Sequence, residues 1–77
     1  MLIEVFGPGC AKCETLLKYT KHAVEQSGLL VEVVKVSDYA AMAQRGILST
    51  PALAVDGAVK SQGKVLSSAE ILTLIQA

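Results

Sequence analysis

The feature that most constrains this chain is the segment Gly7-Pro8-Gly9-Cys10-Ala11-Lys12-Cys13, which contains both cysteines of the protein. A short apolar run ends there and an amphipathic pattern begins, so the segment predicts a strand-to-helix turn with the cysteines at the start of the helix. Side chains three residues apart share one face of a helix, which would bring the two sulfurs within bonding reach. This spacing is typical of either a redox dithiol or a soft-metal clip.

Length and composition narrow the class of protein. The 77 residues predict one domain, residues 1–77, whose core is built from aliphatic side chains because the chain has three aromatic residues and no tryptophan. The formal net charge is zero and the basic residues are scattered, so no nucleic acid partner is expected. No apolar run is long enough to cross a bilayer and no signal peptide is evident, which predicts no membrane association and a cytoplasmic location. In a reducing compartment, a lone cysteine pair is typically catalytic or metal-binding.

Hydrophobic periodicity predicts three elements around the cysteines. Residues 2–6 are short, apolar and β-branched, and predict strand β1. Apolar or small residues recur at helical spacing from Cys13 to Val24, which predicts helix α1, ended by Gly28. Residues 29–36 are almost continuously apolar and predict a second strand, β2, that is covered on most of both faces and lies parallel to β1.

Turn and capping signals organise the second half of the chain. Ser37 and Asp38 are N-cap residues for a short helix over residues 39–45, α2, ended by Gly46. An Asp-Gly pair between apolar runs 52–55 and 58–61 predicts a hairpin of strands β3 and β4. Residues 67–70 have capping-box spacing and predict a C-terminal helix, α3. The order βαβαββα predicts an α/β fold with a four-stranded mixed sheet, spatial order 2-1-3-4, and helices on both faces.

Three features together resemble the thioredoxin-like superfamily: Cys10-Ala11-Lys12-Cys13 between β1 and α1, Ser49-Thr50-Pro51 directly before a hairpin, and Gly63 after it. Over essentially its whole length the chain is similar to the small redox-active disulfide proteins of prokaryotes, which implies a minimal thioredoxin-like fold. The sequence lacks a tryptophan before the first cysteine, and Ala11-Lys12 replaces the usual Gly-Pro. These departures leave the reduction potential and the choice of partner open.

The resemblance implies roles for both cysteines. Cys10 would be the nucleophile, because a helix N-terminus offers unpaired N–H groups and a dipole that favour a negative sulfur and lower the pKa of the thiol. Cys13 would be the resolving thiol, which attacks the mixed disulfide formed by Cys10. Lys12 would either assist Cys10 or be a solvated charge at the start of the helix.

The resemblance also implies supporting residues outside the cysteine motif. The peptide bond before Pro51 would be cis, and the backbone of Thr50 would pair with an extended substrate segment. Gly63 would let that substrate backbone approach, or would be a plain turn glycine. Glu4 stands where thioredoxins have a buried acid that moves protons for the resolving cysteine, although a partly exposed position on β1 is the alternative.

The predicted function is thiol–disulfide oxidoreduction, an electron-transport activity of the kind that maintains cell redox homeostasis. The expected partners are a disulfide in a protein or small molecule and a dithiol donor such as a flavin-dependent reductase, with no cofactor or metal held by the protein and a monomeric state. The alternative is a copper or zinc carrier of the heavy-metal-associated type, whose thiolates bind soft metals. Such carriers follow a βαββαβ order that ends in a strand.

Overall fold

A computed structural model of the chain describes residues 1–9 and 11–76, so that Cys10 and Ala77 lie outside the described residues. The strands are β1 (Leu2–Phe6), β2 (Glu32–Val36), β3 (Ala52–Val55) and β4 (Ala58–Gln62), and the helices are α1 (Ala11–Ser27), α2 (Tyr39–Gln44) and α3 (Ser68–Gln76). The sheet order is β2-β1-β3-β4. β1 and β2 are parallel, and the β1–β3 and β3–β4 pairs are antiparallel. The predicted α/β fold and strand order are confirmed.

The sheet separates two apolar clusters, because successive side chains of a strand point to opposite faces. On one face, Ile3 and Val5 of β1 pack with the buried residues of α1 and α3, including Leu16 and Ile71. On the other face, Phe6 packs with Met42, Ile47, Ala52 and Ala54, the side covered by α2. Every residue of β3 is buried, as expected for a central strand covered on both faces. Across residues 1–9 and 11–76, no helix is both long and apolar enough to cross a bilayer.

The predicted start of β2 is wrong. β2 begins at Glu32, and the apolar residues 29–31 belong to the connection from α1, where Leu30 is 96% exposed. An apolar run marks a buried strand only where other elements cover it, and isolated exposed leucines are common on protein surfaces. Smaller differences are that α2 ends one residue before Arg45, which is its C-cap, and that β4 extends to Gln62.

Both strong local signals of the second half are confirmed. Asp56 and Gly57 form the β3–β4 turn with positive φ angles of 48° and 87°. At the start of α3, the Ser67 hydroxyl accepts a hydrogen bond from the Glu70 N–H, while the Glu70 carboxylate accepts from the Ser67 N–H and hydroxyl. The hydrogen bond from the Ser67 N–H, and to a smaller extent the one from its hydroxyl, hold the pKa of the Glu70 carboxyl below its usual value. The capping box thus closes the first turn of the last helix.

Candidate functional site

The register of the strands brings the motif-bearing loops to one end of the sheet. Phe6, the last residue of β1, pairs with Val36 of β2 and with Ala52 of β3, and Ala52 pairs with Gln62 of β4. The residue after Phe6 is Gly7, the residue before Ala52 is Pro51, and the residue after Gln62 is Gly63, so all three meet at this end. The Gly7 N–H donates to the Val36 carbonyl over 2.9 Å, and the Gly63 N–H donates to the Pro51 carbonyl over 2.9 Å.

Cys13 is packed against the end of β1. Its side chain is 1% exposed and lies on the face of α1 that buries Leu16, Thr20 and Ala23. A Cβ atom placed on Gly7 would lie 2.2 Å from the Cys13 sulfur and 2.8 Å from its Cβ. Residue 7 therefore has to be glycine for α1 to bring this sulfur against the strand. The predicted position of Cys10 at the tip of the helix lies outside the described residues.

The Thr50–Pro51 peptide bond is cis, the isomer that the resemblance implies. Pro51 is buried and Thr50 is half-buried. Between Thr50 and the other residues of 1–9 and 11–76 no backbone hydrogen bond forms.

Two residues at the end of β4, Gln62 and Gly63, shape the loop that carries Thr50. The Gln62 side-chain oxygen accepts hydrogen bonds from the N–H groups of Leu48, over 2.9 Å, and Ser49, over 3.4 Å. Gly63 has a φ of 73°, and a Cβ there would lie 3.1 Å from the Ser49 Cβ. Alanine at position 63 would be strained by the positive φ and would force the Ser49 side chain to move by a few tenths of an ångström.

Glu4 forms an ion pair on the other side of the sheet from Cys13. Its two carboxylate oxygens accept hydrogen bonds from Arg45 Nη1 over 2.8 and 2.9 Å. Glu4 shares its face of β1 with Phe6, whereas Cys13 belongs to the helix packed on the Ile3 and Val5 face. The structure fits the alternative, a partly exposed acid on β1, because strand alternation turns the carboxylate toward α2. A proton-transfer role for Glu4 stays a prediction.

Arg45 links three elements through this ion pair. Its guanidinium also donates to the Gly57 carbonyl over 3.0 Å and lies 5.3 Å from the centroid of the Phe6 ring. The Glu4 and Arg45 side chains are 16% and 29% exposed, so solvent screens the pair only in part. Arg45 thus connects the end of α2 to β1 and to the β3–β4 turn.

Replacing Glu4 with glutamine is expected to destabilise the fold by about 1 kcal/mol and to leave disulfide reduction unchanged. The neutral amide keeps the shape of the side chain but weakens its bonds to Arg45. Urea unfolding and insulin reduction measure the two effects, with the exposed Glu32→Gln as the matched control on the neighbouring strand. Slower reduction with unchanged stability would restore the proton-transfer role.

Lys12 is exposed on the first turn of α1, as is Pro8 in the preceding loop. Sequence reasoning missed the structural roles of Gly7, Arg45 and Gln62. The signal for Gly7 was its place directly between β1 and the cysteine motif. Arg45 and Gln62 carry no sequence signal, because their partners lie far away in the chain and are chosen by strand register.

Three features together define a thioredoxin-like protein. A Cys-x-x-Cys motif at the start of a helix has a buried second cysteine, a Thr-Pro loop lies at the same end of the sheet, and the sheet order is β2-β1-β3-β4. Comparison with known families agrees: the family model described as "Thioredoxin domain" matches residues 1–76, and the chain belongs to this family. A thioredoxin-like redox function follows in general terms from this membership.

Two curated relatives named thioredoxin are similar to the chain. The thioredoxin of Methanothermobacter thermautotrophicus is 36% identical over 75 residues, which cover 97% of each chain. The thioredoxin of Methanocaldococcus jannaschii is 38% identical over 71 residues, which cover 92% of this chain and 81% of the relative.

Proposed function

We propose that the protein is a thiol–disulfide oxidoreductase that reduces disulfides with the Cys10–Cys13 dithiol. The Cys10 thiolate attacks one sulfur of the substrate disulfide, forming a mixed disulfide and releasing the first substrate thiolate. The Cys13 sulfur, once deprotonated, attacks Cys10, which forms the Cys10–Cys13 disulfide and releases the second substrate thiolate. Two electrons pass to the substrate, and a dithiol donor later returns two electrons to the protein.

The observation that carries the proposal is the burial of Cys13 at the sheet end that also holds the Thr50–Pro51 loop. A resolving thiol must be shielded from outside disulfides yet lie close to the sulfur that it attacks. Cys13 is 1% exposed and packed against Gly7, so external reagents do not reach it directly. The available peptide groups of Thr50 supply an edge for an extended substrate chain.

The alternative metal-carrier function is not favoured. A heavy-metal-associated domain would end in a strand, whereas this chain ends in α3 after the order βαβαββα. The loop around Thr50 would have no role in holding a metal between two thiolates. Its position beside the cysteine motif is accounted for by a substrate chain that pairs with Thr50 while its disulfide reacts with the cysteines.

We further propose that the substrate is a protein disulfide and that the electron donor is a flavin-dependent reductase in the cytoplasm. Leu48, two residues before Thr50, is 93% exposed, and Gln62 binds its N–H. An exposed apolar side chain at the rim of the site can pack against an apolar side chain of a polypeptide substrate, whereas a small polar disulfide offers no such contact.

Replacing Leu48 with serine is expected to lower kcat/KM for insulin about threefold to fivefold, through KM, by removing this apolar contact. Reduction of a small linear disulfide, such as the disulfide of 2-mercaptoethanol, should not change. Leu30→Ser is the matched control, since Leu30 is equally exposed but precedes β2 at the opposite end of the sheet. Equal losses in both variants, or equal losses for both substrates, would contradict a polypeptide-binding role.

The proposed function is tested by insulin reduction with dithiothreitol as donor, set beside titrations of Cu(I) and Zn(II). The wild-type protein should accelerate the precipitation of reduced insulin in proportion to its concentration, and oxidised protein should show a Cys10–Cys13 disulfide in peptide mapping. A protein that fails to reduce insulin, never forms this disulfide and holds copper tightly would overturn the proposal.

A further inference from the structure

An ion pair lies against both ends of the cysteine motif. The ammonium group of Lys35, on β2, pairs with the carboxylate of Glu14, on the first turn of α1. The same Lys35 Nζ is 3.8 Å from the position that a Cβ on Gly9 would occupy. Gly9 directly precedes Cys10 and Glu14 directly follows Cys13, so two opposite charges flank the four-residue motif.

The sheet places this lysine on the side of the cysteines. Lys35 pairs with Val5 in the parallel register, and Val5 faces the cluster shared with α1 and α3. Matching positions of neighbouring strands point to the same face, so Lys35 projects toward α1. The Gly7 N–H bond to the Val36 carbonyl holds this end of β2 beside the loop that leads into the motif.

The other charged groups at this end of the molecule are either paired elsewhere or exposed. Residues 47–51 carry no charged side chain. Glu4 and Arg45 are paired on the opposite face of the sheet. The remaining charges on the elements around this end are exposed: Lys12 within the motif, Lys18 one turn after Glu14, Asp38 at the cap of α2 and Lys64 after Gly63.

We propose that Lys35 and Glu14 are positioning residues that set the reactivity of the Cys10–Cys13 dithiol, an inference that rests on the proposed function. The Lys35 cation stabilises a negative sulfur in the adjacent motif, and the Glu14 carboxylate limits this effect by binding the cation. The two side chains are 37% and 53% exposed, so solvent and salt weaken both effects without cancelling them. Removing the positive charge should therefore raise the pKa of the reactive thiol, and removing the negative charge should lower it.

The test is the pH profile of iodoacetamide alkylation of the reduced protein, with the modified cysteine identified by mass spectrometry. Lys35→Met should move the profile to higher pH and slow alkylation at pH 7 roughly threefold, because Glu14 is left unbalanced. Glu14→Gln should move it to lower pH and accelerate alkylation by a similar factor. The variant with both substitutions should have a profile near that of the wild type, and Lys35→Arg should keep the wild-type profile. Lys21→Met, on an exposed turn of α1, is the control for the loss of a positive charge.

Two further measurements are the salt dependence of the alkylation profiles and the rate of insulin reduction. The differences among variants should shrink in 1 M NaCl, since the Debye length falls to about 3 Å. Wild-type profiles in both single variants, or shifts in the same direction, would overturn the inference, because a purely structural contact would not respond with opposite signs. If the wild-type protein does not reduce insulin, the proposed function fails, whereas active protein with unmoved profiles contradicts this inference alone.

Discussion

Replacing Cys13 with serine is expected to abolish turnover in insulin reduction, by roughly a hundredfold or more, and to trap a mixed disulfide with the substrate. Serine nearly preserves the volume of the buried thiol, so the packing of Cys13 against Gly7 should survive. The hydroxyl cannot attack the Cys10–substrate disulfide, and release of the second substrate thiol stops. The trapped complex should appear on a non-reducing gel and disappear when dithiothreitol is added.

Cys10→Ser is the matched variant for this experiment. It should be equally inactive but form no trapped complex, because the sulfur that starts the exchange is missing. The assignment of the two roles would be wrong if the adduct formed through Cys13 in Cys10→Ser, or if Cys13→Ser kept more than about a tenth of the wild-type rate. Unfolding curves of both variants show whether any loss of activity comes from loss of fold.

Replacing Gly7 with alanine is expected to be the most destabilising single-methyl change at the site. The new Cβ would lie 2.2 Å from the Cys13 sulfur, far inside van der Waals contact. Cys13 is held within α1, and Gly7 is held beside β2 by its N–H bond to the Val36 carbonyl. Overpacking of this kind costs about 3 kcal/mol. For a domain of this size that loss should lower Tm by roughly 10–20 °C. Thermal unfolding followed by circular dichroism measures it.

Gly28→Ala is the matched control for the Gly7 variant. Gly28 has a positive φ of 69° and no atom within 4 Å of an added Cβ, so alanine there adds backbone strain without a clash. Its expected cost is about 1 kcal/mol. Gly7 is absent from the positions with positive φ, so its cost comes from space alone. Equal losses in the two variants would contradict the close packing of Cys13 on β1.

Much of the fold could be predicted because its signals are local. The Asp56-Gly57 turn, the Ser67–Glu70 capping box and the glycine after α1 each depend on residues a few positions apart, whose geometry the chain itself dictates. The start of β2 could not be predicted in this way. Leu29 and Leu30 extend the apolar run, and only the arrangement of the other elements leaves them exposed.

The sequence by itself determined the order of the elements, the spacing of the two cysteines and the presence of Thr-Pro before the hairpin. Only the tertiary structure decided that Glu4 faces Arg45, 41 residues away, and that Lys35 reaches Glu14, 21 residues away. It also decided that Gly7 makes room for the Cys13 sulfur. The physical reason is that strand register and the docking of helices on the sheet select the partners of a side chain, and a shift of one residue would turn each strand residue to the other face.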